Sequence, residues 1–340
     1  MDRTIKPETP KSELASTFNP AAGGMRPKRC VDRLSPPGGN MTRKTRILFA
    51  AATAVCMQMA VAAGPTVDTA TIESVTGLKG NYNKTENVFK VSKPRDDVKI
   101  SVDRWTMPPF MGLTSWAAFT PMGGSTMMMG DTVLFEDEVN PAMSAALEAG
   151  LEVTALHNHF FFDQPKVYFM HIGGMGDARQ LATGVKAVYD RVAQVRASQP
   201  KPAKAFGGSI PTPSSITAAR IEEILGAKAQ VKDGMVKVSF GREAKMHGTP
   251  VGNEMGVNTW AAFAGTDERA VVDGDFAMRE EELQTVLKVL RREGINIVAI
   301  HNHMTHEEPR YVFLHYWGKG KAAELAQSLK RTLDAQKAVK

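Results

Sequence analysis

Cysteine is nearly missing from this 340-residue chain, and the two that occur, Cys30 and Cys56, both precede residue 64. Residues 64–340 therefore hold no disulfide and no thiolate metal ligand. Net charge is missing from that stretch as well. The whole chain carries +6, but residues 1–63 hold 10 basic and 4 acidic residues, which leaves 32 of each sign in the remainder. A neutral body lacks the electrostatic footprint of a nucleic-acid binder. No Ser/His/Asp elbow, phosphate-cradling glycine loop or thiol nucleophile occurs, so the sequence implies no nucleotide cofactor. Long apolar runs are absent except for Ile47 to Ala63.

That run belongs to an N-terminal segment unlike the rest. Residues 1–40 are rich in Pro, Gly, Ser and basic residues without apolar periodicity, and read as a disordered extension upstream of the true start. Met41-Thr42-Arg43-Lys44-Thr45-Arg46, the apolar run and Val61-Ala62-Ala63 have the build of a signal peptide over 41–63. A transmembrane anchor fits less well, because the run is Ala-rich, contains Gln58 and falls short of the roughly 20 residues a spanning helix needs. The expectation is an exported protein, periplasmic or secreted after cleavage near Ala63, with no transmembrane helix in the mature chain. Lipidation at Cys56 is disfavoured, since Val55 stands where a small residue is expected.

Histidine is scarce too, and its placement is informative. Six of the eight histidines form two matched sets, His157, His159, His171 and His301, His303, His315, offset by 144 residues. Ala155-Leu156-His157-Asn158-His159 returns as Ala299-Ile300-His301-Asn302-His303. Residues 111–178 align with 255–322 without a gap, and Trp116-Ala-Ala-Phe119, Gly130-Asp131, Glu138 and Gly150 all recur. Such domain-sized self-similarity predicts two tandem units, 68–197 and 215–337, joined by a Pro/Gly-rich linker over 198–214.

Each unit reads alike. A short helix closes on Gly77 or Gly226. Strands are expected over 88–92, 99–102, 115–120 and 126–135, followed by a helix capped by Asn140 with Pro141 at its first position. A strand over 151–160 should place Val153, Ala155, His157 and His159 on one face. Its antiparallel partner over 166–172 carries Val167, Phe169 and His171, and a long amphipathic helix ends the unit. Trp116 and Phe119 read as core and helix-packing contacts. Strands mixed with two or three helices, without βαβ alternation, predict an α+β fold with mainly antiparallel sheets and a pseudo-twofold axis.

His-x-His on a strand aims both imidazoles the same way, and a third histidine on the neighbouring strand can complete a facial set for one ion. Three nitrogens and water suit zinc; an added carboxylate suits iron or manganese. The carboxylates weighed for that role, or as general base, are Glu138 and Glu282, with Asp163 and Glu307 in the hairpin loops; His306 and Glu308 enrich the second loop. Copper is the weaker expectation: the methionines at 107, 111, 122 and 127–129 suit Cu(I), but most of these positions are replaced in the second repeat. Against all of these stands the reading in which duplicated histidines satisfy structural hydrogen bonds. Asn158 and Asn302 lie on the opposite strand face and suit backbone bonding at the hairpin mouth.

Gly150-Leu-Glu-Val-Thr-Ala-Leu-His-Asn-His159, then Pro165 and Phe169-Met-His-Ile-Gly-Gly174, resembles the LppY/LpqO family of bacterial exported proteins. The second copy, ending Phe313-Leu-His-Tyr-Trp-Gly318, resembles it too. The resemblance implies export and a tandem domain of unknown function, and no reaction. Two readings follow: a metal-binding protein, such as a metal-dependent hydrolase or oxygenase, or a non-catalytic envelope protein with structural histidines. Its partner would be a small molecule or an envelope component, not nucleic acid. Oligomeric state does not follow from the sequence.

Overall fold

The computed structural model of the protein describes residues 66–340. The expected disordered extension, the signal peptide with its cleavage point, and the lipidation question at Cys56 lie outside the described residues.

The first repeat runs α1 (Thr69–Thr76), β1 (Gly80–Asn83), β2 (Val88–Pro94), β3 (Ser101–Val102), β4 (Trp105–Thr106), β5 (Thr114–Met122), β6 (Ser125–Phe135), α2 (Glu136–Glu148), β7 (Glu152–His157), β8 (Asp163–Gln164), β9 (Val167–Gly176) and α3 (Ala178–Ser198). The second follows the same order: α4 (Ala218–Leu225), β10 (Ala229–Lys232), β11 (Met235–Gly241), β12 (Ala244–Met246), β13 (Thr249–Val251), β14 (Asn258–Thr266), β15 (Arg269–Arg279), α5 (Glu280–Arg292), β16 (Asn296–His301), β17 (Glu307–Glu308), β18 (Tyr311–Gly320) and α6 (Ala322–Lys337). The fold is α+β, with three helices and a mainly antiparallel sheet in each repeat.

The main strands form one 12-stranded sheet whose order is a palindrome, β1-β2-β5-β6-β9-β7-β16-β18-β15-β14-β11-β10. At its centre β7 and β16 run antiparallel and Leu156 faces Ile300, its own equivalent in the other repeat. The pseudo-twofold axis passes through that pair. Two three-stranded sheets, β4-β3-β8 and β13-β12-β17, flank it.

Alternation along β9 assigns the two faces. Met170 and Ile172 belong to a large apolar core shared with the helices and spanning both repeats. Val167 and Phe169 point the other way, into a smaller cluster with Ile100, Met107 and Phe135. His171 therefore lies on the face away from the helices.

One expected face is corrected here. A β-bulge between Val153 and Ala155 inserts Thr154 opposite the β9 ladder. The extra residue reverses the side-chain parity, so Val153 joins Leu156 in the helix-side core while Ala155 and His157 stay on the other face. The same bulge recurs between Ile297 and Ala299. Each bulge frees backbone groups, and a side-chain amide from the opposite repeat takes them up. Asn140 donates to Ile297 O (3.1 Å) and accepts from Ile297 N (2.7 Å). Gln284, 144 residues on, does the same to Val153 at 2.9 and 3.1 Å.

This use of Asn140 corrects its expected role as a helix cap. Helix α2 begins directly after β6, with Glu136, Asp137 and Glu138 in its first turn, where the helix dipole favours acidic residues. Phe135 N donates to Glu138 Oε2 at 2.8 Å, and Pro141 falls inside the helix. Trp116 and Trp260 also differ from expectation. Both are half-buried on the face away from the helices, each covered by a lysine ammonium, Lys90 at 4.1 Å and Lys237 at 4.2 Å from the ring centre.

Candidate metal centre

The strand registers set the candidate residues in a row across the sheet. In the second repeat Trp260 pairs with Asp275, Asp275 with His315, and His315 with Ala299, two residues before His301. In the first repeat the row is Trp116, Asp131, His171 and Ala155. His157 and His301, two residues on from Ala155 and Ala299 in regular register, share the face of the row. A buried aspartate thus stands beside each third histidine. The recurrence of Gly130-Asp131 as Gly274-Asp275 is its sequence signal, and the sequence reading did not assign these aspartates a role.

The three histidines of each set do come together. Ring centroids of His157 lie 5.0 Å from His159 and 5.2 Å from His171; those of His301 lie 5.1 Å from His303 and 4.6 Å from His315. His159 and His303 stack flat on Phe169 and Phe313, at 3.4 and 3.6 Å.

The two sets differ in detail. Among the described residues, Asp275, His301 and His315 form the group whose ligand atoms all lie within 4.8 Å of one another. Asp275 Oδ2 is 3.1 Å from His303 Nε2, while its Oδ1 is buried without a hydrogen-bond partner. His301 Nδ1 is likewise unpartnered and buried. His315 Nδ1 lies 3.3 Å from Gly274 O, and His303 Nδ1 3.1 Å from Gly256 O. In His315 an Nδ1–H donated to the carbonyl leaves Nε2 as the acceptor, the orientation a metal-binding imidazole needs, whereas His303 Nε2 faces the Asp275 carboxylate. Buried polar atoms are nearly always paired, and Asp275 Oδ1 and His301 Nδ1 are left over by the protein's own hydrogen bonds, as is Asp131 Oδ1 in the first repeat.

The titration shifts fit that picture. Burial, then the neighbouring His315 and His303, push His301 down to about 4. Burial pushes Asp275 up to about 6 against the pull of His315 and His303. Burial, with His171 adding to it, also lowers His157, and burial with His157 lowers His159. Neutral imidazoles are the metal-binding form.

The other carboxylates have structural partners. Glu138 is fully buried, hydrogen-bonded to Arg95 at 2.7 Å and ion-paired with Arg196 at 2.7 Å. Glu282 is held by Arg242, Arg279 and Gln336. Asp163 and Glu307 accept the backbone N–H of Val167 (2.6 Å) and Tyr311 (3.1 Å), closing the turns that follow the histidines. Asn158 donates to Val167 O at 3.1 Å, at the hairpin mouth. His306 and Glu308 lie at a separate cavity on the flanking sheet. An open cleft of about 700 Å³ where the repeats meet includes His301 and Asn302 in its lining, with Glu152, Glu280, Glu281 and Arg310.

Fold and site together define a class: a tandem α+β protein with one continuous sheet and a histidine–aspartate row on each half. The chain belongs to the family described as Domain of Unknown Function (DUF1259), whose model matches residues 70–191 and again 219–335. That match carries the tandem domain and does not carry the LppY/LpqO name. No curated protein matches the chain. Among solved structures it is similar to the trimeric bacterial microcompartment shell protein PduB, at 10% identity over 75% of this chain and 89% of that one, TM-score 0.20. It is also similar to EutL from Clostridium perfringens, at 10% identity over 70% and 89%, TM-score 0.17. These scores are too low to bear on fold or function. No helix among the described residues is long and apolar enough to cross a membrane.

Proposed function

We propose that this is an exported protein of the LppY/LpqO kind that binds a divalent transition metal in its second repeat, through Asp275, His301 and His315. The observation that carries the reading is the convergence of those three groups within 4.8 Å, with Asp275 Oδ1 and His301 Nδ1 buried and unpartnered. Two imidazoles and a carboxylate suit zinc in hydrolases and iron(II) in oxygenases, and a metal-dependent hydrolase or oxygenase is the activity proposed. His303 serves as the partner that orients Asp275. The first repeat is the weaker or structural copy. Export is supported by the basic, apolar and small-residue succession over 41–63.

Elemental analysis of protein purified without chelator tests the reading. Zinc, iron or manganese is expected to co-purify, and about one equivalent per chain should be lost in Asp275→Asn. A metal-free protein whose melting temperature does not rise with added divalent ions would leave the histidines as structural groups.

A further inference from the structure

Six of the eight histidines belong to the two sheet sites. The remaining two, His247 and His306, are 59 residues apart in sequence and meet in space, ring centroids 5.4 Å apart. Every histidine in the chain therefore has another imidazole whose ring centroid lies within 5.4 Å of its own. The pairing follows from the flanking sheet. Strand β12 runs antiparallel to β17, with Lys245 opposite Glu308 and Met246 opposite Glu307, so the turn after Met246 comes beside the turn before Glu307. Both histidines are exposed, and with Lys245, Gly248, Glu307 and Glu308 they line a cavity of about 300 Å³. Glu307 is engaged by Tyr311 N, which leaves Glu308 as the available carboxylate.

Comparison with the first repeat separates what the fold requires from what has been added. There β3 pairs with β8 in the same register, Ser101 opposite Gln164 and Val102 opposite Asp163. Asp103 (φ 46°) and Phe162 (φ 57°) hold the same left-handed backbone as His247 (φ 50°) and His306 (φ 69°). The turn geometry is common to both repeats. The two imidazoles and the Glu308 carboxylate, which stands where the first repeat has Gln164, are present only in the second.

We infer that His247 and His306 form a second, exposed two-imidazole site for a divalent first-row ion that favours imidazole, such as zinc, nickel or copper(II), with Glu308 on the same cavity wall but not converging with them as a third donor. It needs nothing from the Asp275 centre, although His306 follows His303 by three residues on the same loop. An ion reaching the chain from solvent meets this pair directly.

Calorimetric titration of the full chain with zinc alone tests the inference. The wild type should show an equivalent that His247→Ala and His306→Ala each weaken at least tenfold. Their melting temperatures should not change without metal, because both side chains are exposed. Lys245→Ala, which removes the neighbouring positive charge, should tighten the same equivalent. The His301→Ala chain should retain it, so failure of the buried centre is read separately from failure of the exposed one. Binding unchanged in both histidine variants overturns the site. Loss in only one variant also does, since that is adsorption to a single imidazole.

Discussion

The two repeats keep the same row of residues and hold it differently. In the first, Asp131 has a buried, unpartnered Oδ1 beside His171, and no ion pair joins it to His159. In the second, Asp275 is clamped by His303, and His303 in turn by Gly256 O. A further change lies beneath the row. Tyr316, fully buried, sends its hydroxyl to Trp260 O at 2.9 Å across Gly274, where a Cβ would sit 2.1 Å from the Tyr316 hydroxyl and 2.2 Å from Trp260 O. The first repeat has Ile172 there, without a hydroxyl to offer. A duplicated set of candidate donors is therefore not a duplicated geometry. What differs is the second layer, which decides whether three donors are held in one place.

The largest expected effect breaks the comparison outright. His301→Ala should abolish the tighter metal equivalent, whereas His157→Ala should leave its affinity within about twofold, as for independent distant sites. Equal losses from the two variants, measured by metal titration of the full chain, would make the repeats functionally alike.

Next comes the clamp. His303→Ala should weaken metal binding by about 10- to 100-fold, the usual range for a partner that orients a ligand. The equivalent His159→Ala, which removes a ring stacked on Phe169, should not. An unaltered affinity in His303→Ala would mean that Asp275 is positioned by its strand alone.

The amides at the bulges sharpen the comparison on the stability side. Asn140→Ala strands a buried backbone N–H and C=O of the other repeat and should cost about 1–3 kcal/mol in urea unfolding. Gln284→Ala, whose bonds are part-buried, should cost less. Similar small values for both would show that water replaces the amides freely.

The smallest effect is a pH slope in the metal-free protein. Asp275, raised from 3.8 to about 6, keeps in the fold a proton that the unfolded chain releases, so its contribution to stability falls as pH rises through that window. His301, lowered from 6.5 to about 4, lacks a proton that the unfolded chain binds, so its contribution rises with pH. The two oppose each other and leave the wild type nearly flat between pH 4 and 6. Asp275→Asn should uncover the rising slope of His301, read as melting temperature against pH. A slope identical to wild type would sink this account.

The parts of the fold legible in the sequence are those written in periodicity and repetition. The 144-residue offset located both repeats, and the alternation around His171 gave its face and its hairpin partner. Positions that depend on contacts between the repeats were not legible. Thr154 and Val298 look like ordinary strand residues, and only the ladder shows that they are bulged. Asn140-Pro141 resembles a helix start because the competing signal, three acidic residues directly after a strand, has no loop to announce it. Asp131 and Asp275 recur as faithfully as the histidines, but a lone aspartate in a strand shows its cross-strand neighbour only once the register is known. Of the carboxylates weighed from the sequence, Glu138 pairs with the buried Arg95 and Arg196, and Glu282 with the half-buried Arg242 and Arg279.

The pairing of Leu156 with Ile300 has a consequence for how such a chain can arise. A strand position that faces its own equivalent across an axis forms an isologous contact. A one-repeat chain could therefore close the same sheet by meeting a second copy of itself, position 156 against position 156. Fusing the two copies leaves that seam intact and releases every position from having to serve on both sides at once. Leu156 and Ile300 have used that freedom conservatively. Ile172 and Tyr316, and Phe162 and His306, have used it to make one half of a symmetric frame chemically distinct from the other.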